Sequence, residues 1–297
     1  MTSQKQIKLS HGELEFSAVE QGEGPVVLLL HGFPDTLNTW SEQLEVLATA
    51  GYRTVAVATR GYESSSQPAD GDFSSEALAG DVIAWIEQLS GGPVHLVGHD
   101  WGASIAYSVA MAAPERLLSL TTMSVPHAGR FLAEIPQFPK QMRLSWYILF
   151  FQVPGVAEYV IRRKDFAFLK WLWRTWSPGW AFSEQDFEQV AEAFRCPEVV
   201  ESALGYYRGA VGLDSLPWRK SYDSQKPWPI DVPTLGLTGK NEGCIAADVF
   251  SAMMREDDFP RGLKVVQVPD AGHFPHRERP EFVNALILDW LGEHDIS

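Results

Sequence analysis

Cysteine is nearly absent. Cys196 and Cys244 are the only two in 297 residues, too few for a disulfide framework, and free thiols point to a reducing, cytoplasmic setting. Long apolar runs are missing too: none approaches the ~20 residues that a membrane span requires. The first residues, Met1 to Ser10, are polar and hold no apolar segment of the kind an export leader carries. Basic charge is short. With 24 Lys and Arg against 38 Asp and Glu the net charge is -14, which argues against a nucleic-acid partner and favours solubility. Cysteines and histidines do not cluster at metal-ligand spacing, so neither a metal nor another cofactor is expected. A homodimer is left open.

What is present is an alternation of strand and helix signals. Val26 to Leu30 is a continuous apolar run, as in a strand buried on both faces. Glu13 to Val19, Arg53 to Ala58, Val94 to Val97 and Leu117 to Met123 also read as strands, with helical spacing over Trp40 to Ala50, Ser75 to Leu89 and Ala103 to Ala110. Such a rhythm predicts a mostly parallel sheet with helices on both faces. It stops near Pro126. Residues 126–229 carry mainly helical signals and seven of the eleven tryptophans, Trp146, Trp171, Trp173, Trp176, Trp180, Trp218 and Trp228. Strand patterns return at Pro233 to Leu237 and Leu263 to Val268, and Pro280 to Leu291 closes the chain as a helix. The expected organisation is an α/β core, residues 1–125 and 230–297, interrupted by a helical insertion at 126–229.

Gly98-His99-Asp100-Trp101-Gly102 is the chemical centre of this pattern. Strand, tight turn and helix present one side chain at the apex, the nucleophile-elbow arrangement, with aspartate where serine is usual. An aspartate is ionised at neutral pH and can attack without first losing a proton. The expected partners follow in chain order, each on a loop after its own strand: an acid at Glu242, with Asp248 nearby as another carboxylate, and a base at His273. His31-Gly32-Phe33-Pro34 follows the Val26 strand. Backbone N–H groups of Phe33 and Trp101 would form an oxyanion hole, and the two side chains would line the substrate site. His31, His95, His99 and Arg60-Gly61-Tyr62 read as structural, and His127 as a lone histidine at the start of the insertion.

His31-Gly32-Phe33-Pro34-Asp35, Arg60-Gly61-Tyr62, the elbow, Gly272-His273 and two insertion segments together resemble the soluble epoxide hydrolase branch of the α/β-hydrolases, relatives of the haloalkane dehalogenases. The resemblance covers nearly the whole chain. It implies the α/β-hydrolase fold, with a helical cap inserted after the sixth strand. Tyr147-Ile148-Leu149-Phe150-Phe151-Gln152-Val153-Pro154-Gly155 resembles the cap stretch that carries the family's first catalytic tyrosine, which falls on Tyr147. Leu204-Gly205-Tyr206-Tyr207-Arg208 resembles its Asn-Trp-Tyr-Arg segment, whose tyrosine falls on Tyr207; Gly205 and Tyr206 replace Asn and Trp, leaving Tyr206 as an alternative. Glu242 stands where soluble epoxide hydrolases usually have Asp.

The implied reaction converts a small apolar epoxide and water to a vicinal diol through an ester on Asp100, with Tyr147 and Tyr207 serving the epoxide oxygen. Haloalkane dehalogenation uses the same nucleophile, but a halide needs N–H donors, and Phe33 offers none from its side chain. A non-catalytic binding protein on this scaffold would be expected to lose part of the triad. The aromatic run Phe166 to Phe182 reads as cap core and pocket wall, and Lys164 just before it, with Lys170 and Arg174 within it, admits a membrane-surface reading.

Overall fold

The computed structural model describes residues 3–211 and 228–295; Trp218 of the insertion lies outside them. Eight strands form one sheet: β1 (Lys5–His11), β2 (Leu14–Gln21), β3 (Val26–Leu30), β4 (Arg53–Val57), β5 (Val94–His99), β6 (Leu117–Met123), β7 (Thr234–Gly239) and β8 (Leu263–Val268). Their order is β1-β2-β4-β3-β5-β6-β7-β8. β1 and β2 pair antiparallel, as do β2 and β4, and every later pairing is parallel.

Period-two alternation sorts β3 between two cores. Leu28 and Leu30 face one layer, with α2 (Ser75–Leu89) and α3 (Trp101–Ala112) supplying Val82, Trp85, Ile105 and Val109. Val27 and Leu29 face the other, with α1 (Ser41–Thr49) and the last helix (Pro280–His294) supplying Leu44, Leu47, Ile287 and Trp290. Every residue of β3 is buried, as its unbroken apolar run predicts. The sequence reading missed β1. Its side chains are mostly exposed on both faces, so the Ile7 and Leu9 alternation is its only signal.

Counting β1, the insertion follows the sixth strand. Between β6 and β7 the described chain folds as α4 (Ala128–Glu134), α5 (Pro139–Leu144), α6 (Trp146–Phe150), α7 (Val156–Trp176), α8 (Glu184–Arg195) and α9 (Pro197–Val211). These helices form the cap. α7 breaks at Arg163–Phe166, where Lys164, Asp165 and Phe166 take positive φ. α10 (Ala247–Met253), α11 (Pro275–Glu278) and α12 (Pro280–His294) complete the core.

Strand order positions the site. From β3 the chain runs to β4 on one side and then crosses to β5 on the other, so loops after β3 and β5 diverge from one point, where α/β sheets bind ligands. Leu30 pairs with Gly98, His99 with Met123, and Gly239 with Val268. The carboxyl ends of these strands are thus level, and their loops emerge along one edge.

Candidate active site

Asp100 sits between β5 and α3 at φ 50° and ψ -119°, a conformation that costs an L-residue ~1–3 kcal/mol unless its surroundings impose it. They do so by close approach. A Cβ on Gly98 would lie 2.3 Å from the Gly102 carbonyl oxygen, and one on Gly102 would lie 2.1 Å from that of Leu30. The Asp100 N–H donates to Met123 O (3.1 Å), and its carbonyl accepts from the N–H groups of Ala103 and Ser104.

The Asp100 carboxylate points at the β3 loop and at His273. Oδ1 accepts the Phe33 N–H at 2.8 Å, and Oδ2 lies 3.5 Å from His273 Nε2. The Trp101 N–H, at the first position of α3, has no intrahelical partner. Burial alone would raise the Asp100 pKa, but the charge of His273 beside it, with the Phe33 N–H, brings it below the ordinary carboxylate value. The Phe33 loop is braced from below and above: His31 Nε2 accepts the Thr59 N–H (3.1 Å), and the Trp173 indole N–H donates to Pro34 O (2.9 Å).

Glu242 follows β7, and both its carboxylate oxygens lie 3.0 Å from His273 Nδ1. Its Oε1 also accepts the Cys244 N–H at 2.8 Å. Asp248, the other carboxylate nearby in sequence, is exposed on α10. Burial pulls the His273 pKa down, yet Glu242 and then Asp100 outweigh it and lift it to about 10. In the unreacted site His273 is therefore an imidazolium between two carboxylates. Its Nε2 has no hydrogen-bond partner and faces Asp100.

The cap also holds the His273 loop, which the sequence reading missed. The Trp176 carbonyl, at the end of α7, accepts N–H groups from both Gly243 (2.9 Å) and His273 (3.1 Å). Ser177 Oγ accepts the His273 N–H (2.9 Å) and donates to Glu278 (2.7 Å), whose carboxylate takes the Gly272 and Phe274 N–H groups. From the core side, His99 Nε2 and Ser124 Oγ donate to the His273 carbonyl, each at 2.7 Å. Apart from His99 of the elbow, none of these groups follows a motif; tertiary packing assembles them.

Tyr147 on α6 and Tyr207 on α9 are both buried, with rings 5.9 Å apart. The Tyr207 ring lies 5.0 Å from Trp101, edge-on, and 5.4 Å from Phe33. The Tyr147 hydroxyl meets Cys244 Sγ at 3.2 Å. Burial, together with the Asp100 charge and neighbouring groups, pushes both phenols well above the ordinary tyrosine pKa, so both remain protonated. Tyr206 turns elsewhere: its hydroxyl donates to Arg60 O at 2.7 Å. Arg60 itself grips Asp81 through two N–H groups, and His127 Nδ1 accepts the Arg130 N–H at the start of α4.

Glu242, Cys244 and His273 place their ligand atoms within 4.8 Å of one another. Nδ1, however, is engaged with Glu242, and burial beside Glu242 and Asp100 keeps the thiol protonated. A metal would have to displace both protons, so the donor set as it stands does not fit one.

Residues 25–280 match the family described as alpha/beta hydrolase fold. The chain is 31% identical over 280 residues to the AB hydrolase superfamily protein YfhM of Bacillus subtilis, covering 94% of each chain. It is 30% identical to Epoxide hydrolase 3 of Siraitia grosvenorii, across 97% of this chain and 98% of that one. A solved epoxide hydrolase from an endophytic Streptomyces superimposes with a TM-score of 0.79 at 27% identity, covering 98% of this chain and 95% of the other.

Proposed function

The chain belongs to the α/β hydrolase fold family, in its epoxide hydrolase branch, and from that premise we propose that it hydrolyses a small apolar epoxide to a vicinal diol through an alkyl ester on Asp100. The observation that carries this reading is a pair of buried cap phenols, Tyr147 and Tyr207, with rings 5.9 Å apart, the second packed on Phe33 and Trp101 beside Asp100. An Asp100 oxygen attacks one ring carbon, the carbon–oxygen bond opens, and the alkoxide takes a proton from Tyr147 or Tyr207. Residues 126–229 serve as the cap that supplies these donors.

Ester formation also switches His273. With Asp100 esterified, one of the two charges that hold its pKa near 10 is gone. Passing its proton to the phenolate left by ring opening restores the tyrosine and leaves a neutral imidazole, oriented by Glu242. His273 then deprotonates a water that attacks the ester carbonyl. The N–H groups of Phe33 and Trp101 receive the oxyanion, and the Phe33 donor already lies 2.8 Å from Asp100 Oδ1. Collapse releases the diol and regenerates the carboxylate.

Halide displacement by the same nucleophile is favoured by one observation: the Trp176 ring lies 4.9 Å from that of His273, at the site. Against it, Phe33 has no side-chain donor. A single turnover in ¹⁸O-water tests the ester. Label is expected in Asp100 and absent from the first diol; label in that diol with none in Asp100 overturns the ester route. Halide release without diol formation from styrene oxide would reverse the choice of substrate.

A further inference from the structure

The α5–α7 part of the cap contrasts with the rest of the chain in charge and in polarity. Residues 139–176 hold seven Lys and Arg against two acidic residues, within a chain of net charge -14. Large exposed apolar side chains are concentrated there as well. On α6, Trp146 and Leu149 face outward, with Leu149 at 72% exposure, while Tyr147 and Phe151 face the site. The Trp146 ring meets Phe150, Phe168 and Trp171 at 5.8, 6.4 and 6.2 Å, which joins α6 to α7 in one aromatic surface. Tyr159, 61% exposed, adds to the apolar surface of this segment beneath Arg163. Lys140, Arg143, Arg163, Lys164 and Arg174 have no ion-pair partner among the described residues.

Exposed aromatic and aliphatic side chains set among unpaired cations suit the boundary of an anionic bilayer, where rings enter the headgroup layer and cations meet lipid phosphate. We propose that the α5–α7 face of the cap docks on anionic lipid membranes. A second copy of the chain is the poorer occupant, because a two-fold contact would bring this cationic face against itself. The acidic remainder is repelled by the same membrane, which orients the cap toward it. No helix among the described residues is long and apolar enough to cross a membrane, so the docking is peripheral. Its consequence for catalysis rests on the epoxide reading: α6 carries Trp146 to the lipid and Tyr147 to the site, so an apolar epoxide dissolved in the bilayer lies next to the cap.

The test is cosedimentation of the full chain with phosphatidylcholine vesicles, with and without about one-third phosphatidylglycerol, in the absence of substrate. Anionic vesicles are expected to bind at least about tenfold more tightly, and ~0.5 M salt to abolish the difference. Lys140→Glu with Arg143→Glu, and separately Leu149→Ser with Tyr159→Ser, should each weaken binding by about tenfold or more while leaving turnover of a water-soluble epoxide unchanged. Absence of binding at low salt, or equal binding to both vesicles, overturns the proposal. So does light scattering in which these substitutions split a dimer without changing vesicle binding. Because both charge changes lie on exposed positions, they test the proposal even if the apolar pair misfolds. Vesicle binding is read without turnover, so failure of the epoxide reading would leave it intact.

Discussion

Asp100, Glu242 and His273 stand on loops leaving parallel strands, whereas Tyr147 and Tyr207 stand on cap helices α6 and α9. The strand-end groups are charged and coupled at 3.0–3.5 Å, with backbone N–H groups of Phe33 and Cys244 fixing both carboxylates. The cap phenols are neutral and sit among aromatic rings, Tyr147 with its hydroxyl on a thiol and Tyr207 edge-on to an indole. On the proposed reading the sheet edge forms and cleaves the covalent bond and the cap handles the oxygen released, and this contrast can be tested from both sides.

The largest effect should come from the sheet edge. Asp100→Ala is expected to lower kcat by about 10⁴-fold or more, since removing one member of a coupled unit removes most of its catalysis. His273→Gln should accumulate the ester, seen as a stable mass increment on the intact protein after mixing with substrate. Normal diol release by that variant would remove His273 from its role. Next comes the cap: Tyr147→Phe with Tyr207→Phe should slow ring opening by ~10²–10⁴-fold, measured as the pre-steady-state rate of ester formation. Equal ring-opening rates in wild type and double variant would place the oxygen donors elsewhere.

Glu242→Gln sharpens the electrostatic half of the comparison. Removing the strongest charge that raises His273 should lower its pKa from about 10, by an amount readable in the imidazole NMR titration. An unchanged titration would mean that Asp100 alone holds the proton.

Acid stability should also divide core from cap, because the deeply buried histidines lie beneath the site in the core. Burial lowers His31 to about 4 and His99 to about 3, so both stay neutral in the fold. As pH falls below about 6.5 the unfolded chain takes up these protons first. Stability should then drop by about 1.4 kcal/mol per pH unit for each such histidine, until its folded pKa is reached. Asp35 acts in the opposite sense. Burial raises it to about 6, so it binds its proton more tightly in the folded state, and its contribution is lost as pH rises from 3.8 to 6. Asp35→Asn should therefore steepen the acid loss in urea titrations between pH 6 and pH 4. A shallower loss would contradict the assignment.

The smallest effect tests the seam between the halves. Cys244→Ala removes the thiol from Tyr147 and should change kcat by only a few-fold, with Cys244→Ser restoring it, because one neutral hydrogen bond contributes ~1 kcal/mol. A loss as large as that of the tyrosine variants would move Cys244 into the catalytic machinery.

The parallel strands, the elbow and the chain order of Asp100, Glu242 and His273 were legible in the sequence because each is local. A buried strand is an apolar run, a tight turn needs glycine, and a strand-end loop follows directly in sequence. β1 escaped because two exposed faces leave little hydrophobic pattern. A place just past a strand end favoured Glu242 and the family resemblance favoured Tyr207, but Asp248 and Tyr206 stayed as alternatives because one carboxylate or phenol resembles its neighbour in sequence. Folding separates them: Tyr206 is directed to Arg60 O and Asp248 to solvent, while Glu242 reaches His273.

The sequence by itself determined the architecture and the residue types that stand on the strand-end loops, since hydrophobic period and turn chemistry act over a few neighbouring residues. Only the tertiary structure decided that Tyr207 lies against Trp101 and Phe33 while Tyr206 turns to Arg60, and that Glu242 reaches His273 while Asp248 is exposed. It also decided that the Trp176 carbonyl and Ser177 hydroxyl hold the His273 loop, and that two carboxylates keep His273 protonated. Those outcomes depend on distance and burial among residues far apart in the chain, which no local pattern encodes.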